Sequence, residues 1–322
     1  MRSALHLNWA VAALLALPAT AQDFRETEVN DPQTCRALWK DVGLPRYARE
    51  GDRDTIIACH QRYVLSYNND NKTPDWVFEQ LTPDQITGTN TRPKPEPFAP
   101  EPNVPPDKAA GLADYKGSRL DRGHQAPSED FKKRLEWMKE SFFLSNMVPQ
   151  QGRGFNQHIW KNLEELTRGV VRRRGTMYVM TGPVNRDENG KIPTITKEFN
   201  KCGNEIRLAS IDNRKEICPA KNKDPSANCG AGVTVPVGMF KIFYDPRGQR
   251  VNAYLLPNIN HTEAGEAPSP ADYLKKFRVT VHAVERVTGL EFFRSLPKRT
   301  RDILLLQCGQ TMFGATDGDD DI

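Results

Sequence analysis

One amphipathic run constrains the fold more than any other stretch of this chain. Phe155, Ile159, Leu163, Leu166 and Val170 recur at spacings of three or four residues, which sets one apolar stripe along a helix from Phe155 to Arg174. Gly175 ends it, directly after Arg172, Arg173 and Arg174, cations placed where a helix C-terminus favours them. A helix with one buried face needs a second layer, and the flanking sequence offers strands. Cys59 to Tyr67 alternates, closes in the polar turn from Asn68 to Lys72, and returns through Trp76-Val77-Phe78 as a hairpin. Phe142 to Val148 reads as a strand ended by Pro149. Thr176 to Thr181, Val233 to Tyr244 and Val251 to Leu256 read as further strands. Strands with isolated helices between them imply an α+β domain, a largely antiparallel central sheet flanked by helices.

The first residues read as an export signal and not as structure. Arg2 precedes the apolar core Trp9 to Leu17, and Pro18-Ala19-Thr20-Ala21 offers a cleavage site before Gln22. Residues 1–21 are therefore expected to be a signal peptide. Residues 22–322 are expected to form a single domain with a core of about 59–295, secreted or periplasmic and free of the membrane. All six cysteines (Cys35, Cys59, Cys202, Cys218, Cys229 and Cys308) follow that signal, and an even count in an exported chain argues for disulfides. Cys35 with Cys59 is the expected local staple, with one or two bridges among the other four. No Cys-x-x-Cys occurs, which disfavours a structural zinc site.

Three segments interrupt the regular pattern. Seven prolines fall between Pro93 and Pro106. They form either a linker or an extended strap, and the strap is favoured because the preceding hairpin is too small to stand alone. Residues 201–229 are polar and Cys-containing, as in a stapled surface insertion. The tip, 317–322, carries Asp317, Asp319, Asp320 and Asp321, so the rest of a chain of net charge +4 is more basic than the total indicates. A basic body suits a polyanionic partner, although ordinary surface charge explains it equally well.

The chemistry concentrates at Asp121-Arg122-Gly123-His124-Gln125-Ala126 and at Asn156 and Glu164. An arbitrary histidine is more often structural than catalytic, and His60, His261 and His282 have no acidic or Gly-rich company that marks a site. His124 differs: Gly123 permits close backbone approach and Arg122 places a fixed cation beside it. With an ordinary pKa of about 6.5, its imidazole would be mostly neutral near pH 7–8, as a general base must be. Asn156 opens the long helix, where it serves either as an N-cap or as a ligand for a hydrated divalent cation. Glu164 lies eight residues on, about 80° round the helix, and so looks to the same side. His158 lies about 200° round and faces away. Arg168, one turn past Glu164, extends this polar face, where alone it would be a salt-bridge partner of Glu164.

Leu120-Asp121-Arg122-Gly123-His124-Gln125-Ala126-Pro127 resembles the signature of the DNA/RNA non-specific endonucleases, the sugar-non-specific nuclease family with the ββα-metal fold. Phe143 to Gln150 is similar to its second block, and Asn156-Gln157 through Trp160 to Leu163-Glu164 to its third. The likeness extends to Pro74-Asp75-Trp76-Val77, Arg92, Thr181-Gly182-Pro183, Phe240-Lys241-Ile242 and Val287-Thr288-Gly289-Leu290. The resemblance implies that His124 is the general base and Asn156 the direct protein ligand of Mg²⁺ (or Mn²⁺). Glu164 would hold a metal-bound water, and Arg92 would neutralise charge on the phosphate, with Arg122 and Arg168 as nearby phosphate contacts. Asn146 and Gln150 would border the substrate and orient the site. The implied substrates are DNA and RNA, cut without sequence specificity to 5′-phosphates, and a homodimer is compatible with the family. Two rivals stand beside this reading: a catalytically silent nucleic-acid-binding protein on the same fold, and a phosphodiesterase of small nucleotides.

Overall fold

Seven antiparallel strands form the central sheet of the computed structural model, which describes residues 32–49, 53–209, 215–217, 232–262 and 270–309. The proposed signal peptide, Cys218, Cys229, most of the 201–229 insertion and the acidic tip lie outside the described residues. In chain order the sheet strands are β1 (Thr55–Cys59), β2 (Tyr63–Asn68) and β3 (Thr73–Leu81), then, after a separate ribbon of β4 (Asp121–His124) and β5 (Met147–Gln150), β6 (Met177–Val184), β7 (Gly238–Asp245), β8 (Arg250–Pro257) and β9 (Arg278–Val279). Their order across the sheet is β9-β8-β7-β6-β3-β2-β1.

Each face of this sheet is buried under a different layer. One face carries Trp76, Phe78, Met180, Ile242 and Leu255. It is covered by α2 (Val281–Thr288) and α3 (Lys298–Leu306). Thr280 caps α2 by accepting from Ala283 N at 3.1 Å, and Gly289 ends it at φ +73°. The opposite face carries two apolar clusters. Val179, Phe243 and Leu256 pack under the long helix through Phe155, Ile159, Leu163 and Val170. Leu65, Tyr67 and Val77 pack under Ala126, Phe131 and Phe142. The helical stripe read from the sequence is therefore the contact that roofs the sheet. Its fully buried side chains contribute about 1.5–3 kcal/mol each.

Several strand expectations need correction. The run from Cys59 to Tyr67 is two strands, because the turn at Gln61 and Arg62 intervenes between β1 and β2. The segment from Phe142 to Val148 is mostly not extended: Leu144–Asn146 is a single tight turn, and β5 begins at Met147 and contains Pro149. Proline is tolerated there because β5 pairs along one side only, as part of a two-stranded ribbon. Pro236 breaks the run from Val233 to Tyr244, so Val233–Thr234 pairs with Glu216–Ile217 and only β7 joins the main sheet. The Pro-rich segment is a strap: Ala99 bridges Phe143, and Ala99 O accepts from Leu144 N at 2.8 Å.

The expected staple Cys35–Cys59 is present, and among the other four cysteines a Cys202–Cys308 bridge ties the insertion's start to the segment after α3. No helix among the described residues is long and apolar enough to cross a membrane.

Candidate active site

Ribbon β4–β5 delivers the histidine. His124 pairs with Met147, Gly123 with Val148 and Asp121 with Gln150. A Cβ on Gly123 would run into the side-chain amide of Gln150, so only glycine lets the strands close at this point. After Gln150 the chain turns into the helix, and Asn258 holds the turn. Its side chain accepts from Gln151 N at 2.9 Å and donates to Pro149 O at 3.1 Å. Gly154, at φ +79°, then admits Asn260 where any Cβ would collide.

The helix opens with an over-wide turn, Asn156 N donating to Gln151 O five residues back at 2.9 Å. Residues Gly152–Trp160 form this entry, and α1 (Lys161–Arg174) continues it. No side chain caps the entry, so the N-cap reading of Asn156 falls away. Instead, Asn156 Nδ2 donates to Asp121 Oδ2 at 2.9 Å, and Gln157 Nε2 donates to the same oxygen at 2.8 Å. A carboxylate accepts only from the nitrogen, which fixes the amide's orientation and leaves Asn156 Oδ1 as its free donor atom for a ligand.

His124 is buried, with Phe142 edge-on at 5.0 Å and Phe98 at 6.0 Å between ring centres. Its Nε2 is enclosed without a hydrogen-bond partner. Burial, reinforced by the charges of Arg92 and Arg122, lowers its pKa to about 3. The Arg122 guanidinium stands 4.0 Å over the Phe98 ring, and that of Arg92 lies 5.0 Å from the Phe142 ring. Arg92 is half exposed and pairs with Glu96 at 2.6 Å. Arg92, Glu96, Phe98, Asp121, Arg122 and Asn156 line one cleft of about 750 Å³.

Glu164 follows Asn156 by two turns and is half-buried. Burial raises its pKa to about 7 against the opposing charges of Lys241, Arg168 and Arg92. Arg92 therefore acts electrostatically on both His124 and Glu164.

Three expected substrate contacts are placed otherwise. Asn146 is fully enclosed and saturated by backbone: it accepts from Ala126 N at 2.9 Å and donates to Ala126 O and Ser141 O. It fixes the chain two residues after His124 and has no face for substrate. Gln150 is equally buried, packed on Gly123. Arg168 pairs at 2.8 Å with Asp130, from the turn Ser128–Phe131, both nearly inaccessible. It clamps the helix to the loop after His124 and does not salt-bridge Glu164. His158 is exposed, as its position round the helix required.

Sequence reasoning missed four participants. Asp121 was in the motif without a role. His60, read as lacking acidic company, lies 3.2 Å from Glu101 of the strap, whose Oε2 also accepts from Ser145 Oγ at 2.6 Å. Glu79 and Lys241 are buried charges inside apolar strands. A lone charge at a core-facing strand position was the available signal for those two.

These features define a nucleic-acid hydrolase, and the comparisons agree. The sequence profile of the DNA/RNA non-specific endonucleases matches residues 44–299, and the chain belongs to that family. It is 33% identical over 257 residues to nuclease C1 of Cunninghamella echinulata var. echinulata, covering 78% of this chain and 88% of that one. It is 31% identical to the mitochondrial nuclease of Saccharomyces cerevisiae, covering 77% and 68%. Among solved structures, a chain of the EndoG/EndoGI complex superposes with a TM-score of 0.61 at 25% identity, covering 83% of this chain and 94% of that one. The mixed helix and antiparallel-sheet architecture expected from the sequence is thus the ββα-metal nuclease fold.

Proposed function

We propose that the protein hydrolyses DNA and RNA phosphodiesters without sequence specificity, leaving 5′-phosphates and 3′-hydroxyls. One observation carries this reading: the Asp121–Asn156 bond leaves free the carboxamide oxygen of a residue that lines one cleft with Arg92 and Arg122, the two guanidiniums whose charges act on buried His124. The donor set fits Mg²⁺ or Mn²⁺, since Asn156 Oδ1 and the Glu164 carboxylate are hard oxygens. Among the described residues no three His, Cys, Asp or Glu side chains converge as a metal cage, and Mg²⁺ commonly takes few protein ligands and keeps its waters. Asn156 would hold the ion directly and Glu164 through water. When bound, the ion supplies Lewis-acid stabilisation to the phosphate and the leaving oxygen.

The chain's own residues do the rest. Arg92 and Arg122 bind the phosphate and oppose charge that develops on it. Binding an anion there also cancels two of the influences that suppress His124, so the imidazole regains basicity as substrate arrives. His124 Nε2 then takes a proton from the attacking water, which contributes roughly 10²–10⁴-fold. Water attack needs no 2′-hydroxyl, so both polymers are substrates, and phosphate contacts carry little sequence information. Two disulfides support an oxidising compartment, in keeping with export by residues 1–21.

Plasmid nicking with Mg²⁺ and with EDTA tests the proposal. Cleavage that stops in EDTA is expected. A plasmid bound but uncut under both conditions would favour the silent binding protein.

A further inference from the structure

The helix that carries Asn156 is not fixed at its entry by helical geometry. Arg153 (φ −69°, ψ 131°) and Gly154 (φ +79°, ψ −17°) are both non-helical, and no side chain caps the turn. The first backbone donors of a helix must find partners outside it. Here the partner comes from the central sheet. Asn258, directly after β8 and 1% exposed, accepts from Gln151 N at 2.9 Å. Gln151 O accepts in turn from Asn156 N at 2.9 Å. One hydrogen-bonded path therefore runs from the sheet to the backbone of Asn156.

The same amide reaches the ribbon that carries His124. Asn258 Nδ2 donates to Pro149 O at 3.1 Å and to Pro236 O at 3.0 Å. Pro149 lies in β5 directly opposite Arg122, two residues before His124. Asn258 N donates to Val237 O at 3.2 Å, which ties the residue to the segment that enters β7. Three residues on, the chain touches the helix entry again, His261 N donating to Gly154 O at 3.4 Å. The His261 ring is itself held by Pro257 O at 2.9 Å and Tyr273 Oη at 2.7 Å. Residues 258–261 thus clamp the entry at two points. A carboxamide offers an acceptor and two donors from one planar group, which neither a carboxylate nor a hydroxyl does. From Phe155 onward the helix is held to the sheet by apolar packing. The stretch between β5 and Phe155 lacks that packing, and it decides how the Asn156 carboxamide faces the ribbon.

We propose that Asn258 is a positioning residue that sets the Asn156 carboxamide against the β4–β5 ribbon, and with it the spacing between that amide and His124. Its partners lie 107 and 109 residues earlier in the chain, so a single side chain of the sheet joins the two elements of the cleft. The inference rests on the roles given above to Asn156 and His124.

The test uses Asn258→Ala in the full chain, with Asn258→Ser as a second variant whose hydroxyl leaves a polar atom and room for a water among the backbone groups. Three quantities are read on folded protein: hydrogen exchange of the amides of residues 150–157, Mn²⁺ binding without substrate by electron paramagnetic resonance, and kcat and KM on DNA in Mg²⁺. Exchange over 150–157 should quicken by at least about tenfold while β6 and β7 stay protected. Mn²⁺ should bind about tenfold more weakly. The kcat should fall about 10²-fold with KM within about threefold, because the phosphate contacts of Arg92 and Arg122 persist. Thr280→Ala, which removes the cap of α2 on the other face of the sheet, lowers stability and should move none of the three. Wild-type exchange and Mn²⁺ affinity in either Asn258 variant would overturn the proposal, as would equal losses in Thr280→Ala, and Asn258 would then be a stabilising residue only. Should the wild type neither cleave nucleic acid nor bind Mn²⁺, the nuclease reading fails. Exchange over 150–157 then decides the positioning role by itself, faster exchange supporting it and unchanged exchange removing it.

Discussion

Asn156 and Asp121 are joined by a 2.9 Å bond from Nδ2 to Oδ2, across thirty-five residues and between a helix entry and a strand. The bond determines which atom of the amide remains free. Asp121→Ala removes the acceptor, and the Asn156 amide can then rotate. The Mg²⁺ concentration giving half-maximal activity should rise about 10–100-fold, with folding intact by circular dichroism. Unchanged metal dependence would mean that Asn156 is oriented by something else.

The pH profile of kcat/KM, which follows the substrate-free enzyme, should not report His124. The sequence alone places the rise in activity near an ordinary imidazole pKa, but burial together with Arg92 and Arg122 holds His124 neutral down to about pH 3. In the metal-free protein burial pushes Glu164 up to about 7, and a bound cation would lower that value. The ionised carboxylate is the form needed, so activity should fall as pH drops through the lowered value. His124→Ala should lose about two decades of rate or more while still retarding DNA in a gel. Glu164→Gln should lose rate and also flatten the acid limb. A limb that survives in Glu164→Gln would return the titration to the histidine.

His60 and Glu101 should give the strap a stability optimum on the acid side of neutral. Burial alone would lower the His60 pKa, but the Glu101 charge and hydrogen bond, with Glu140 beyond, raise it. Burial likewise works against the Glu101 charge, yet His60 and Ser145 bring its pKa below the ordinary value. The histidine's contribution is complete below its unfolded pKa of 6.5 and is lost as pH rises through the elevated folded value. The carboxylate's contribution is present above 4.5 and is lost as pH falls through its depressed folded value. Glu101→Gln should therefore be most destabilising at about pH 5–6, by about 3–5 kcal/mol, and less so at about pH 9. Denaturant melts of both proteins across that range measure this. A difference independent of pH would show that the ion pair contributes nothing there.

Local signals in the sequence account for the roofing helix and for the chemistry, and they fail where partners are distant. The stripe from Phe155 to Val170 fixes one helix face by period alone, and the structure buries that face. Asn156 and Glu164 share a side because eight residues advance little more than two turns. By contrast, nothing near Asn146 or Arg168 in sequence reveals that Ala126 and Asp130 saturate them. The family resemblance implies substrate contacts for both, whereas their burial depends on elements twenty to forty residues away. His60 illustrates the same limit, since its partner Glu101 arrives on a strap forty-one residues later. Strand ends failed at Pro149 and Pro236, where pairing on one side only, or none, decided what proline could join.

Gly123→Ala provides a geometric test of the ribbon that carries His124. The added methyl would occupy the space of the Gln150 amide. That side chain cannot swing aside to solvent, because it is fully buried in the strand opposite. The strands must therefore separate, which displaces the adjacent His124 from Phe142 and from the two guanidiniums. Overpacking of this kind costs about 1–3 kcal/mol, or roughly 2–4 °C in Tm per kcal/mol for a protein of this size. The kcat should fall further than stability predicts, by about 10²-fold, since displacements near 1 Å have that effect on positioned groups. Gln150→Ala in the same chain removes the colliding atoms and should restore a substantial part of both losses. Gly123→Ala with wild-type Tm and kcat would show that the ribbon yields without moving its histidine.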